Sequence, residues 1–271
     1  MPGPTLPRRS VVLGVLGAAA AGLAGPGLAG CSREGVEQVD GVRRDGGTLM
    51  TRHWPGHRPQ WLLAAPATGT PGGLLVSLHG HGGVARSSFE DGLELQDLVV
   101  GSRLAIVSVD GGVGYWHARA DGSDTGAMVL DDLVPLALRA TGLPAEQPIG
   151  LLGWSMGGFG ALSLATRLPA RRVAAVVAES AALWLEPGLT PHGAFDDRED
   201  FDRVTPFNHL AALRRLPVRL DCGRGDPFVA ANRALATGLP TARATFDAGT
   251  HDMAYWHGHA RDQVTWVAQH F

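Results

Sequence analysis

Ile149-Gly150-Leu151-Leu152-Gly153-Trp154-Ser155-Met156-Gly157-Gly158 decides how the rest of the chain is read. Its first four residues form an apolar run of strand length. The residues that follow, Phe159 to Arg167, have the alanine and leucine content of a helix. Between them lies Gly-x-Ser-x-Gly, which in a strand–turn–helix setting puts a serine on a sharp corner with its hydroxyl raised above a sheet. Such a corner leaves no room for side chains at its flanks, so glycine fits at 153 and 157. Ser155 then stands at the start of the helix, with the Met156 amide aimed into the same space. The chain contains 38 glycines, so a chance match to the pentapeptide has to be answered by what surrounds it.

Upstream, Trp61 to Pro66, Leu74 to Leu78 and Leu104 to Val109 read as strands. The second runs into His79-Gly80-His81-Gly82-Gly83. The third runs into Asp110-Gly111-Gly112 and a loop carrying Tyr115, Trp116, His117 and Arg119. Downstream, Val173 to Ala178, Val218 to Cys222 and Ala242 to Phe246 read as strands, with an irregular stretch at 181–204. Helical segments are expected at about 89–100, 128–140 and 228–237, and from His251 to the end. Continuous apolar strands alternating with helices specify a mostly parallel sheet covered on both faces. This predicts one α/β domain over 48–271. With 271 residues, 45% of them hydrophobic, the chain can fill such a core. A formal net charge of −3 and no cluster of Lys and Arg argue against nucleic acid as a partner.

In a parallel sheet, reactive groups collect at the carboxyl ends of the strands. Four sets fall there: the His79–Gly83 loop, Ser155, Asp226 and His251. Serine is a weak nucleophile and needs a base, for which His251 is the candidate. The imidazole needs a carboxylate to hold its tautomer, for which Asp226 is the candidate and Glu179 the alternative. A tetrahedral oxyanion needs fixed donors, assigned to the amides of His81 and Met156. The order oxyanion loop, Ser, Asp, His is that of α/β-hydrolases. Trp116, Trp184 and Tyr255 are candidates for an apolar substrate pocket, with Trp184 in a lid. His79 is expected to orient the loop, and His117 either to line the pocket or to pack. His257, His259 and His270 are read as surface or packing residues. No cofactor or metal is expected.

His79-Gly80, Gly-Trp-Ser155-Met-Gly-Gly-Phe-Gly-Ala, Gly225-Asp226-Pro-Phe and Gly249-Thr-His251-Asp-Met-Ala-Tyr-Trp256 resemble the esterase D family of α/β-hydrolases. That family includes S-formylglutathione hydrolases, feruloyl-type esterases and mycolyltransferases. The likeness runs from about residue 60 to 271. It implies the α/β-hydrolase fold, a triad of Ser155, Asp226 and His251, and oxyanion amides at His81 and Met156. The substrate would be a small-molecule or lipid carboxylic ester. Acyl transfer of the mycolyltransferase type is one alternative, although no stretch matches that group's substrate loop. A surface lipoprotein that keeps the hydrolase fold without catalysis is another.

The N-terminal end reads as targeting sequence, not fold. Arg8-Arg9 precede a mildly apolar segment from Val11 to Leu28, and Arg8-Arg9-Ser10-Val11-Val12-Leu13 resembles a twin-arginine export signal. Leu28-Ala29-Gly30-Cys31 resembles a bacterial lipobox, in which the cysteine is lipidated and becomes the new N-terminus. Residues 1–31 are therefore expected to be a signal peptide, and residues 32–47, with mixed charge and glycine, a tether. The protein would be exported, either secreted or held in the cell envelope, touching a membrane only through that anchor. Cys222, the other cysteine, is expected in the core.

Overall fold

A computed structural model describes residues 32–90 and 92–271. The expected signal peptide, with its lipobox-like end at Cys31, lies outside the described residues.

Among the described residues nine strands form one sheet: β1 Ser32–Val39, β2 Val42–Thr48, β3 Gln60–Pro66, β4 Gly73–Leu78, β5 Leu104–Val109, β6 Ile149–Trp154, β7 Val173–Glu179, β8 Val218–Asp221 and β9 Arg243–Thr245. Their order is β1-β2-β3-β5-β4-β6-β7-β8-β9. From β5 to β9 every pair is parallel, and β1, β2 and β3 join as an antiparallel edge. This is the α/β-hydrolase fold, a mostly parallel mixed sheet with helices around it.

The strands at the centre of the sheet are buried on both faces, which is why they read as unbroken apolar runs. Alternation still sorts their side chains. Leu74, Val76 and Leu78 join the core on one face, and Leu75 joins the core on the other. Helices α1 Val134–Thr141, α2 Met156–Arg167, α3 Arg198–Val204 and α4 Val229–Gly238 pack on the first face; α5 Met253–Ala268 covers the second. The chain goes from β4 outward to β5 and then returns to the other side for β6. That reversal opens a crevice at the carboxyl ends of the central strands, where Ser155 follows β6.

Two expectations are corrected. Residues 32–47 are not a tether: they are β1 and most of β2, paired from Ser32↔Thr48 to Val39↔Val42. The sequence Val-Arg-Arg-Asp-Gly-Gly-Thr hides this strand because its pattern is polar. It is held by its ladder to β3, from Val42↔Pro66 to Thr48↔Gln60, more than by apolar burial. The expected helix at 89–100 is reduced to short turns at Leu95–Leu98 and Val99–Ser102, because Glu94 takes a left-handed conformation that interrupts it.

Among the described residues no helix is long and apolar enough to cross a membrane.

Candidate active site

The corner at Ser155 is as tight as its sequence requires. A Cβ on Gly153 would run into the Gly157 carbonyl, and one on Gly157 into the Leu78 carbonyl. Ser155 itself adopts φ 55° and ψ −120°, a conformation that costs a non-glycine residue energy and persists only where its surroundings enforce it. Here they do. The Ser155 amide donates to the Glu179 carbonyl at 2.9 Å, and the Ser155 carbonyl accepts from the Ala182 amide at 2.9 Å. The Ser155 side chain does not cap α2, so its hydroxyl is free for another partner.

That partner is His251. Its Nε2 lies 2.9 Å from Ser155 Oγ, and its Nδ1 lies 2.8 Å from Asp226 Oδ2. Because the carboxylate can only accept, Nδ1 carries the proton and Nε2 offers its lone pair to the serine hydroxyl. The other Asp226 oxygen accepts from the Phe228 amide at 2.8 Å. Burial pushes the Asp226 carboxyl up, but the hydrogen bonds from His251 and Phe228 outweigh it and hold the group below the usual carboxylate range. The loops that carry Asp226 and His251 are zipped together by backbone bonds, Gly225 to the Gly249 carbonyl at 2.9 Å and Arg224 to the Asp247 carbonyl at 2.7 Å. Phe228 and Trp256 meet the His251 ring edge-on from 5.2 and 5.0 Å.

The loop after β4 turns over the same crevice. Gly83 donates to the Gly80 carbonyl at 3.0 Å, and Gly82 sits at φ +75°, closing a turn in which the His81 amide has no acceptor among the described residues. A Cβ on Gly80 would lie 3.4 Å from the Ser155 Cβ, which fixes how near this loop comes to the serine. Met156 is the first residue of α2, so its amide has no helical acceptor. His79 is fully buried beneath the loop. Its Nε2 accepts from the Gly111 amide at 2.9 Å and its Nδ1 donates to the Gly80 carbonyl at 2.8 Å, bridging the turns after β4 and β5. Burial lowers its pKa, in keeping with a neutral ring that donates on one side and accepts on the other.

The pocket residues read from sequence do not fall together. Trp116 is 0% exposed and fills a slot left by Gly111 and Gly160, with its ring 5.0 Å from His79. It is a core residue under the loop, not a pocket wall. Tyr255 is buried behind the site, and its hydroxyl donates to Asp247 at 2.8 Å, which steadies the loop leading to His251. Trp184 is buried in an aromatic cluster with Tyr115, Phe195 and Phe228, one ring removed from His251. The side chains that flank His251 are Phe228 and Trp256. Both stand in the motifs around Asp226 and His251, and their spacing from those residues was the only signal in the sequence.

His117 packs. Its ring stacks on Phe195 at 5.3 Å, with Nε2 3.3 Å from the Ala194 carbonyl and Nδ1 3.4 Å from Asp200. Beside it Arg119 binds Asp196 through two nitrogens at 3.0 and 3.1 Å. Together they clasp the 185–204 segment onto the loop after β5. Glu179 is fully buried at the end of β7 and does not touch His251. Cys222 is buried, and burial foremost, with the Asp226 charge, pushes its thiol up to about 12. Among the described residues no group of three or more His, Cys, Asp or Glu side chains is arranged to hold a metal ion.

A serine, an imidazole and an ionised carboxylate in one hydrogen-bonded line, below a turn with spare amides, are the parts of a serine hydrolase. The chain belongs to the Esterase family, whose model matches residues 127–266, a span that includes Ser155, Asp226 and His251. It is a hydrolase of the esterase class. The S-formylglutathione hydrolase of Agrobacterium tumefaciens superposes with a TM-score of 0.73 at 17% identity, over 88% of this chain and 99% of that one. A ferulic acid esterase superposes with a TM-score of 0.71 at 19% identity, over 85% of this chain and 99% of its own. The fluorophosphonate-binding serine hydrolase F of Staphylococcus aureus gives 0.71 at 16% identity, over 83% and 98%. At these identities the likeness establishes the fold. A comparison with curated proteins finds no match.

Proposed function

We propose that the protein is an exported serine esterase that hydrolyses a carboxylic ester through an acyl-enzyme on Ser155. The observation that carries this reading is the His251 ring, bonded to Ser155 Oγ at 2.9 Å on one side and to Asp226 at 2.8 Å on the other. In the first half-reaction His251 Nε2 takes the hydroxyl proton as Ser155 Oγ attacks the ester carbonyl carbon. Asp226 stabilises the imidazolium so formed. The oxyanion is held by the amides of Met156 and His81, and each such donor contributes on the order of 10²–10³ in rate. Collapse of the intermediate expels the alcohol, which leaves with the proton from His251. Water then attacks the acyl carbon as His251 takes one of its protons, and collapse of this second intermediate releases the acid as His251 returns the proton to Ser155 Oγ. Phe228 and Trp256, on either side of His251, form the walls for an apolar acyl or aryl group.

Export rests on the sequence of residues 1–31, with Cys31 as the site of lipid attachment. A mass measurement on the exported protein tests this, since lipidation and cleavage at Cys31 leave a defined adduct on a chain beginning there.

Hydrolysis of a nitrophenyl ester series of rising chain length tests the enzyme reading. Activity that disappears in Ser155→Ala supports it, and the length optimum sizes the pocket. Activity that survives the substitution overturns it. Repeating the assay with competing alcohols separates water from an alcohol as the acyl acceptor.

A further inference from the structure

Strand direction brings the start of the sheet to the same end of the molecule as the candidate site. β5 ends at that end, and β3 runs against it with Trp61 beside Val109. β2 runs against β3 with Thr48 beside Gln60, and β1 runs against β2 with Ser32 beside Thr48. Ser32 therefore enters the sheet at the end where Ser155 opens. Cys31 precedes it by one residue, about 3.5 Å of chain. With 32–47 built into the sheet, a lipid on Cys31 would join the molecule at this face.

The same end carries exposed apolar side chains. Met50, Val84, Val113, Leu185 and Leu189 follow β2, β4, β5 and β7, and Leu185 and Leu189 are 56% and 66% exposed. Their loops adjoin one another. Asp110 accepts from the Gln60 amide at 3.0 Å and the Ala85 amide at 2.8 Å. Trp54 lies against Gly112, and Tyr115 packs on Trp184 at 5.5 Å. Arg52 and Arg58, on the loop that bears Met50, are exposed, and neither is paired with an acidic side chain among the described residues.

We propose that this end of the molecule is a membrane-contacting surface and that the ester substrate is carried by molecules in that lipid surface. The apolar side chains enter the headgroup region, Arg52 and Arg58 sit over anionic phosphates, and Ser155 opens toward the bilayer. A single acyl chain binds a membrane only marginally, and a second apolar and basic signal makes the attachment stable. This surface supplies that second signal beside Cys31. The opposite end offers a basic groove with Arg139, Arg171 and Arg215, but the chain does not enter the sheet there. The inference deepens the proposed function, resting on the esterase reading for the substrate and on lipid attachment at Cys31 for the anchor beside this surface.

Hydrogen–deuterium exchange of the full chain, with and without vesicles of phosphatidylcholine and phosphatidylglycerol in equal parts, tests the surface. Protection at 50–58, 112–115 and 184–192 is expected. Protection at 139–147 and 168–172 instead, bound protein with no protected loop, or no binding to the vesicles would each overturn it. The substrate class is read as a ratio, hydrolysis of a vesicle-borne ester over hydrolysis of a soluble nitrophenyl ester. Leu185→Asp with Leu189→Asp is expected to lower this ratio by about tenfold or more, since two apolar contacts are replaced by charges that anionic lipid repels. An unchanged ratio would overturn the lipid-borne substrate. Loss of soluble-ester hydrolysis in the unmodified protein counts against the esterase reading and leaves the exchange result standing on its own.

Discussion

Two carboxyl–histidine pairs stand at the carboxyl ends of neighbouring parts of the sheet, and they have opposite character. Asp226 meets His251 at 2.8 Å and also takes the Phe228 amide, and its carboxyl is held ionised. Glu179 lies 3.7 Å from His259 Nδ1, but that nitrogen already donates to the Tyr255 carbonyl at 2.9 Å. Burial, and next to it the charge of Asp221 across the ladder, push Glu179 well above the usual carboxylate range. Gln263 and Arg219 oppose this without reversing it. Position at a strand end therefore does not make a carboxyl fit to stabilise an imidazolium. The donors aimed at it do, because only they can offset the desolvation of the charge.

The contrast is sharpest in catalysis. Asp226→Asn, which keeps the shape and removes the charge, is expected to lower kcat by about 10⁴. Glu179→Gln is expected to change it by less than about tenfold, because it exchanges one neutral group for another. Steady-state kinetics on the two variants compare them directly, and a larger loss at 179 than at 226 would reverse the assignment.

A second difference lies in pH dependence of stability. Asp226 has a lowered folded pKa, so its contribution is present above the unfolded value of about 3.9 and is lost as pH falls through the folded one. Glu179 has a raised folded pKa, so the folded state keeps a proton that the unfolded chain gives up. Its stability therefore falls as pH rises above about 4.3 toward the folded value. Urea unfolding of Glu179→Gln and the unmodified protein should diverge with rising pH, the variant becoming the more stable. Curves that stay parallel would mean that Glu179 is ionised.

The smallest effect expected is at Tyr255. Its hydroxyl donates to Asp247 beside the loop that carries His251. Tyr255→Phe should cost about 1 kcal/mol of stability and leave the pH profile of hydrolysis in place, whereas a role in contacting substrate would raise KM instead.

The sequence made the site's chemistry legible and its walls less so. Gly153, Ser155 and Gly157 announce the corner because backbone crowding forbids anything larger than glycine at its flanks. Asp226 and His251 follow strands whose apolar runs are unbroken, so their placement at one end of the sheet could be derived. Trp116 could not be placed, since the slot it fills is made by Gly111 and Gly160, distant in sequence and joined only by folding. The β1–β2 edge was hidden for a different reason. Its polar composition carries no alternation to mark a strand, and what holds it is a backbone ladder to β3, which is silent in the choice of side chains.

The central claim is that Ser155 carries the acyl group, and trapping that group tests it most directly. The protein is mixed with a nitrophenyl ester, quenched in acid during turnover and digested for mass spectrometry. The account predicts the acyl mass on the peptide containing Ser155, with a burst of nitrophenolate that vanishes in Ser155→Ala. Continued hydrolysis with no adduct at Ser155, or a burst retained in Ser155→Ala, would contradict it.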